Sequence, residues 1–294
     1  MFFYKKYGII ISNNSNLKGE TMHGYKINKV IYDDKEIYVY EKGIGKNNYI
    51  FVSGWANPTS LSDMYELADE MSEYGRCFVI ERFGYGESSN VNFKRSLEQI
   101  SKEMEVVLQY LKINDNIILI GHSLGTFISI EFAKKHKEYI KAILLIDSYP
   151  IKYTYERFAF LFNYIMAYII LFLRKIGYFK KINNDKIEKL LFKDRKLPED
   201  IKQQAIKITR TKIYNKTVLN ELQDSIKSLK NIYKNINLLN NIPFTCICRK
   251  VSYKRNIIYK DYLKQAKIIN VSKSSHFIHH MYKDIVLDEI KNFN

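Results

Sequence analysis

The residues best suited to chemistry in this sequence form the pentapeptide Gly121-His122-Ser123-Leu124-Gly125. A serine hydroxyl is a weak nucleophile, so it must be held at an exposed turn beside a general base. A sharp strand-to-helix turn does this, and glycines allow the turn to pass close to neighbouring backbone. The spacing Gly121-x-Ser123-x-Gly125 therefore indicates a nucleophilic serine. A plain turn that contains two glycines is the alternative.

Three histidines near the C-terminal end, His276, His279 and His280, are candidate bases. A base that serves Ser123 has to lie on a loop beyond the last strand. His276 occupies that loop, whereas His279 and His280 would begin the next element and pack or face solvent. The side chain of His122 is expected to point away from the turn, as a structural neighbour.

The elements around these residues follow an alternating pattern. Short β-branched and aromatic runs alternate with helical periodicity, which is typical of a mostly parallel sheet covered by helices. An apolar strand over residues 116–120 leads into the Ser123 turn, and an opening hairpin is predicted around Asp33-Asp34. The strand pattern is interrupted over residues 151–240. We therefore predict an α/β core of residues 1–150 and 241–294 with a helical cap insertion at 151–240.

Three further segments make the chain resemble the α/β-hydrolase superfamily along nearly its whole length. Phe51-Val52-Ser53-Gly54-Trp55 resembles the family's strand-to-loop segment, and residues 81–88 resemble its Asp-x-x-Gly-x-Gly-x-Ser loop. Ser275-His276-Phe277-Ile278-His279 resembles the segment that delivers the catalytic histidine. The resemblance implies an α/β-hydrolase fold, with a mostly parallel eight-stranded sheet flanked by helices and a helical cap insertion.

The resemblance also bears on the acid of the catalytic triad. In most relatives the acid follows the strand that is here Phe244–Cys248, and the expected position falls near Ser252. Residues 249–255 contain no carboxylate. Some relatives carry the acid at the end of the preceding strand, where Asp147 stands. Asp147 is therefore the candidate acid, with a structural role at the strand end as the alternative.

The resemblance implies a reaction as well as a fold. The backbone N–H groups of Trp55 and Leu124 would form the oxyanion hole, and Ser123 would form an acyl-enzyme from a carboxylic ester. The apolar residues 158–173 favour small or lipophilic ester substrates. Carbon–carbon bond, lactone or thioester hydrolysis and acyl transfer use the same framework, and a non-catalytic ligand-binding protein is the rival. No cofactor is expected, and no metal, since no Cys/His cluster has metal-ligand spacing.

The charge distribution indicates which partners the protein could bind, and the cysteines indicate its redox environment. The net charge is +16, and residues 174–235 carry 17 Lys and Arg against seven Asp and Glu. No nucleic-acid-binding module accompanies this charge, so a solvated surface or peripheral contact with an anionic membrane is expected. A helix over residues 158–173 would rise only about 24 Å, short of the roughly 30 Å hydrocarbon core, so a spanning helix is disfavoured and a buried or substrate-facing helix is favoured. Cys77, Cys246 and Cys248 fit a reducing, cytoplasmic setting, and the oligomeric state stays open.

Overall fold

A computed structural model describes residues 20–148, 155–193, 195–272 and 275–294, and of residues 155–163 it describes the backbone alone. Within these residues, nine strands form one sheet. They are β1 (Thr21–Met22), β2 (Tyr25–Tyr32), β3 (Lys35–Lys42), β4 (Asn48–Val52), β5 (Arg76–Glu81), β6 (Ile117–His122), β7 (Ile140–Ile146), β8 (Phe244–Arg249) and β9 (Lys267–Val271).

The helices of the described residues flank this sheet or lie between β7 and β8. They are α1 (Ser60–Met71), α2 (Leu97–Tyr110), α3 (Leu124–Lys135), α4 (Tyr155–Lys175), α5 (Tyr178–Lys181), α6 (Asn184–Phe192), α7 (Glu199–Thr211), α8 (Lys216–Leu229), α9 (Lys250–Asn256), α10 (Ile258–Tyr262), α11 (Ile278–Met281) and α12 (Lys283–Lys291). Short 3-10 turns occupy Lys137–Tyr139 and Ile236–Leu239.

The sheet is mostly parallel, as predicted. Its strand order is β1-β2-β3-β5-β4-β6-β7-β8-β9, and every pair from β5 to β9 is parallel. The prediction of eight strands was wrong by one, because the two-residue strand β1 pairs with β2. Every residue of β4 and β6 is buried, which explains why these strands appear in the sequence as apolar runs.

The opening hairpin is confirmed as β2 and β3. Asp33 and Asp34 connect the two strands with φ values of 49° and 56°. Two consecutive residues with positive φ give a turn whose twist matches that of the flanking strands. Short polar side chains such as Asp tolerate this conformation better than bulky ones do.

Two apolar layers cover the two faces of the sheet. One layer contains buried residues of α2 and α3, and the other contains buried residues of α1, α7 and α12. Cys246 and Cys248 face the first layer as free, buried thiols. The sheet is therefore enclosed on both sides, and its strand ends are left to carry functional groups.

Between β7 and β8 the described residues contain helices and no strand. Whether this segment is a separate cap domain stays a prediction. The expectation of a buried helix at residues 158–173 is wrong for the side chains described, and whether this helix faces substrate stays a prediction. Ala167 is fully buried, but Ile165, Ile169 and Phe172 are 45–61% exposed, because α4 packs against the protein by one side. No helix in the described parts of the chain combines the length and apolarity needed to cross a bilayer.

Candidate active site

Ser123 lies at the sharp turn between β6 and α3. Its φ and ψ are 52° and −116°, a conformation that costs a non-glycine residue energy and is kept where function requires it. A Cβ on Gly121 would lie 2.7 Å from the carbonyl oxygen of Gly125, and a Cβ on Gly125 would lie 2.1 Å from that of Val52. Both positions therefore require glycine for the turn to close.

The two predicted oxyanion donors lie on segments that flank Ser123. Leu124 is the first residue of α3. Its N–H therefore has no acceptor within the helix and lies at the positive end of the helix dipole. On the other side, a Cβ on Gly54 would lie 3.2 Å from the Ser123 Cβ. The loop that carries Trp55 therefore runs directly against the serine turn.

Asp147 follows β7 and contacts the predicted base. Its Oδ2 lies 2.6 Å from His276 Nδ1, and its Oδ1 accepts a hydrogen bond of 3.0 Å from Ser252 Oγ. Arg249 Nε lies 2.6 Å from the same Oδ2 as an ion-pair contact without hydrogen-bond alignment. The carboxylate holds the proton of neutral His276 on Nδ1, which leaves the lone pair on Nε2.

Burial and neighbouring charges set the protonation states of this pair. Burial acts to raise the pKa of Asp147, but the hydrogen bond from His276, the charges of His276 and Arg249, and the Ser252 hydroxyl lower it below its ordinary value. Burial lowers the pKa of His276, and His122 adds to this, against the opposing effect of Asp147. At neutral pH Asp147 is therefore ionised and His276 is neutral, which is the form a general base requires.

His276 is held beside the serine turn through His122. His122 Nε2 lies 3.1 Å from the carbonyl oxygen of His276, and the two rings have centroids 4.8 Å apart. Among the described residues, Ser123 Oγ forms no hydrogen bond with the imidazole. Contacts of this kind often become short only when substrate is bound.

A second cluster of histidines surrounds Asp63 on α1. Asp63 Oδ1 lies 3.1 Å from His279 Nε2 and 3.4 Å from His280 Nε2, and its Oδ2 lies 3.5 Å from His122 Nδ1. His279 and His280 therefore pack against Asp63, which is the first of the two expected alternatives, packing or facing solvent. His122 is the structural neighbour that the sequence predicted, and it connects this cluster to His276.

The Asp63 cluster also bears on the expectation that no metal binds. Asp63, His279 and His280 each bring one ligand atom within 4.8 Å of the others, a spacing at which an ion could be held. His279 Nε2 and His280 Nε2 are already hydrogen-bonded to Asp63, whereas the buried Nδ1 atoms of His279 and His122 have no hydrogen-bond partner among the described residues. Hydrogen bonding therefore accounts for the Nε2 contacts of both histidines, and the expectation that no metal binds stays a prediction.

Two functional contacts were missed by sequence reasoning. The buried guanidinium of Arg82 donates to the carbonyl oxygens of Ser53 and Gly54 at 2.9 and 3.0 Å, and it pairs with Glu221 on α8 at 2.8 Å. Trp55 Nε1 donates to Val218 O at 2.8 Å, also on α8. These bonds fix the loop beside Ser123 to the helical segment. Arg82 lies in the motif over residues 81–88, but no sequence signal marks Glu221.

The predicted loop at residues 249–255 is also different from expectation. It forms the helix α9, which turns Ser252 toward Asp147. The usual acid position is thus occupied by a hydroxyl that donates to the carboxylate. This explains how a chain without an acid after β8 still orients a carboxylate on His276.

Comparison with known proteins agrees with this fold. Residues 50–169 match the family model described as alpha/beta hydrolase fold. Over 115 residues the chain is 28% identical to the uncharacterized protein YbdG of Bacillus subtilis, and this match covers 39% of the chain and 35% of YbdG. Over 126 residues it is 28% identical to a 1-acylglycerol-3-phosphate O-acyltransferase of Arabidopsis thaliana, and this match covers 42% of the chain and 28% of the acyltransferase. The matches thus span about a third of these curated relatives.

A solved structure extends the similarity along the chain. The putative alpha/beta hydrolase ALR0039 from Nostoc sp PCC 7120 superimposes with a TM-score of 0.72 at 13% identity, covering 92% of this chain and 97% of that one. At this identity the likeness concerns the fold. Together with the family-model match over residues 50–169 and the strand order, it shows that the chain has the α/β-hydrolase fold.

Proposed function

We propose that this protein is a serine hydrolase that cleaves carboxylic esters. Ser123 is the nucleophile, His276 the general base and Asp147 the acid that orients the base. The proposal rests chiefly on one observation: the strained Ser123 turn lies next to a histidine whose Nδ1 is 2.6 Å from a buried carboxylate. This combination leaves a basic nitrogen available beside the half-buried Ser123 hydroxyl, which is what acyl transfer needs.

The proposed reaction proceeds through an acyl-enzyme. Ser123 Oγ attacks the ester carbonyl while its proton passes to His276 Nε2, and Asp147 stabilises the imidazolium that forms. The imidazolium then gives this proton to the departing alcohol oxygen, and the acyl group stays on Ser123. A water molecule, deprotonated by His276, releases the acid and restores the serine.

The oxyanion of each tetrahedral intermediate would lie between the N–H groups of Leu124 and Trp55. The close contact of Gly54 with the Ser123 turn supports this assignment. Removing one such donor typically slows catalysis by roughly 100- to 1,000-fold. The bonds from Arg82 to the carbonyls of Ser53 and Gly54 would keep the Trp55 loop from moving during the reaction.

Aromatic side chains near the site favour a lipophilic ester. Trp55 and Tyr214 are packed edge to face with centroids 5.5 Å apart, and Phe277, 38% exposed, follows His276. These rings would contact the acyl or alcohol part of a substrate and exclude water from it. The helical segment α4–α8 would act as a cap, since α8 carries the bonds to Trp55 and Arg82.

Acyl transfer to an alcohol is the second candidate. The observation that favours it is the similarity of 126 residues to an acyltransferase whose name specifies 1-acylglycerol-3-phosphate. The two reactions share the acyl-enzyme and differ in whether water or an alcohol accepts the acyl group. Turnover of a p-nitrophenyl ester with and without 1-acylglycerol-3-phosphate separates them, because transfer yields a diacyl product instead of the free acid.

Labelling with a fluorophosphonate probe tests the nucleophile. We expect the wild-type protein to be labelled and Ser123→Ala to be unlabelled, while Ser228→Ala on α8 serves as the matched control and labels normally. A non-catalytic ligand-binding protein would leave the wild type unlabelled as well. p-Nitrophenyl esters from acetate to laurate then report the preferred acyl length, and a labelled protein that hydrolyses none of them would contradict ester hydrolysis.

A further inference from the structure

An apolar stripe runs along the outer face of α4. Ile165, Ile169, Phe172 and Ile176 follow one another at spacings of four, three and four residues, which place them on one side of a helix. They are between 45% and 61% exposed. Tyr168, between the first two, is 47% exposed. We call these five residues the α4 face.

The opposite side of α4 attaches the helix to the protein. Ala167 is fully buried, and Arg174, seven residues later on the same side, donates to the carbonyl oxygen of Thr211. The helix is therefore anchored by small and polar contacts while its larger apolar side chains point outward. Large exposed apolar side chains in a continuous row usually mark an interaction surface.

The charges beside the α4 face have one sign. Residues 158–184 contain Arg174, Lys175, Lys180 and Lys181 and no Asp or Glu. Arg174 donates to the carbonyl oxygen of Thr211, and the three lysines are exposed. Within the parts of the chain that the structure describes, none of the three lysines forms an ion pair with a carboxylate, so their charge is available to an anionic partner.

We propose that the α4 face docks on a lipid bilayer that contains anionic headgroups. The apolar stripe would enter the boundary between headgroups and acyl chains, and the three exposed lysines would contact the headgroups. A second copy of this chain fits the same face poorly, because a symmetric pair would bring six lysines together without a carboxylate to offset them. The proposal goes beyond the proposed reaction and does not depend on it.

Flotation of the full-length protein with vesicles tests the docking. We expect binding to vesicles of phosphatidylcholine with phosphatidylglycerol to be about tenfold tighter than to phosphatidylcholine alone, and to weaken as salt is added. Ile169→Asp/Phe172→Asp should weaken binding about tenfold or more. The matched control, Leu190→Asp/Val251→Asp, makes the same change at residues that are 78% and 75% exposed elsewhere, and should change binding less than about twofold.

A charge-reversal pair separates the electrostatic part. Lys175→Glu/Lys180→Glu should abolish the preference for phosphatidylglycerol, whereas Lys46→Glu/Lys102→Glu, at exposed positions outside the segment, should preserve it. Circular dichroism and turnover of a soluble acetate ester check that all variants remain folded. Equal binding of both variant pairs and their controls would overturn the lipid proposal, and so would conversion of a dimer to a monomer by Ile169→Asp/Phe172→Asp. Absence of ester turnover in the wild-type protein would contradict the proposed reaction and would leave the docking proposal unaffected.

Discussion

Two buried carboxylates, Asp147 and Asp63, contact histidine rings on either side of His122. The two pairs differ in the solvent exposure of the histidine. Asp147 contacts His276, whose side chain is 36% exposed, whereas Asp63 contacts His279, whose side chain is 1% exposed. An exposed imidazole can exchange a proton with a bound substrate, but an enclosed one cannot. The same pairing of residue types therefore suits chemistry in the first cluster and structure in the second.

The enclosed cluster also explains how the exposed one is held. Asp63 binds His279 and His280 of α11, which begins two residues after His276. His122 Nε2 bonds to the His276 carbonyl oxygen, so the backbone of the histidine loop is fixed from two directions. We infer that Asp63 is a positioning residue and that changes to the two carboxylates will affect different measured quantities.

The largest effect is expected from Asp147→Asn. The amide would donate to His276 Nδ1 instead of accepting from it, so the imidazole would carry its proton on Nε2 and could not act as base. In a serine triad this change lowers kcat by about 10,000-fold. Measured ester hydrolysis should fall accordingly, with the free energy of unfolding lowered by only about 1 kcal/mol. Asp261→Asn, at an exposed position, is the control.

The position of the acid can be tested further in that background. Ser252 Oγ lies 3.0 Å from Asp147 Oδ1, so a carboxylate introduced at position 252 would extend toward His276. We expect Asp147→Asn/Ser252→Asp to recover at least about tenfold of the lost kcat. A double variant no more active than Asp147→Asn would show that α9 does not direct its residue at 252 toward the base.

The next effect concerns stability and separates the second carboxylate from the first. Asp63→Asn removes the charge that three histidines face in a buried site, and we expect a loss of about 3 kcal/mol in the free energy of unfolding. Its effect on kcat should be smaller than that of Asp147→Asn. Urea unfolding measures the first quantity and ester turnover the second. Equal losses of kcat in the two variants would contradict the distinction between a reacting and a positioning carboxylate.

The pH dependence of stability sharpens the same contrast. Burial lowers the pKa of His279 well below 6.5, and His280 adds to this, against the opposing effect of Asp63. The folded state therefore keeps His279 neutral while the unfolded chain takes up a proton below its ordinary pKa. Stability is lost as pH falls below 6.5, by about 2 kcal/mol between pH 7 and 5. Asp63, whose pKa lies well below 3.8, does not titrate in this window.

His276 and His136 also have lowered pKa values and contribute to the same pH dependence. The contribution of His279 is therefore measured by comparing the His279→Asn variant with the wild-type protein. The pH profile of urea unfolding for His279→Asn should be flatter than that of the wild type by the contribution of one proton. Parallel profiles over pH 5–7 would exclude the assignment. Stability that rises on acidification would contradict its sign.

The sequence revealed the serine turn more readily than its surroundings because the turn is local. Gly121, Ser123 and Gly125 lie within five residues, and the steric demands between them are visible in the spacing. The fold class followed from alternating strand and helix patterns, which each element carries by itself. Asp147 was reached indirectly, through the absence of a carboxylate at residues 249–255.

Contacts between distant residues could not be predicted in this way. Arg82 and Glu221 are separated by 139 positions, and Asp63 and His279 by 216. Neither pair forms a pattern along the chain, since only the packing of α8 beside the residue that follows β5, and of α1 beside α11, brings the partners together. Likewise, residues 158–173 were predicted to form a buried or substrate-facing helix from their apolar composition and their length, and neither tells which side of a helix finds a partner.

The smallest effect is expected from the hydroxyl that supports the reacting carboxylate. Ser252 Oγ donates to Asp147 Oδ1 and helps to lower the pKa of Asp147. A hydrogen bond to a charged group contributes about 1.5–3 kcal/mol, but Asp147 keeps the contact with Arg249, so Ser252→Ala should lower kcat by about tenfold with KM unchanged. Ser252→Thr, which retains the hydroxyl, should restore most of the rate. A loss in Ser252→Thr as large as in Ser252→Ala would point to packing at α9, and the hydrogen bond would then not explain the effect.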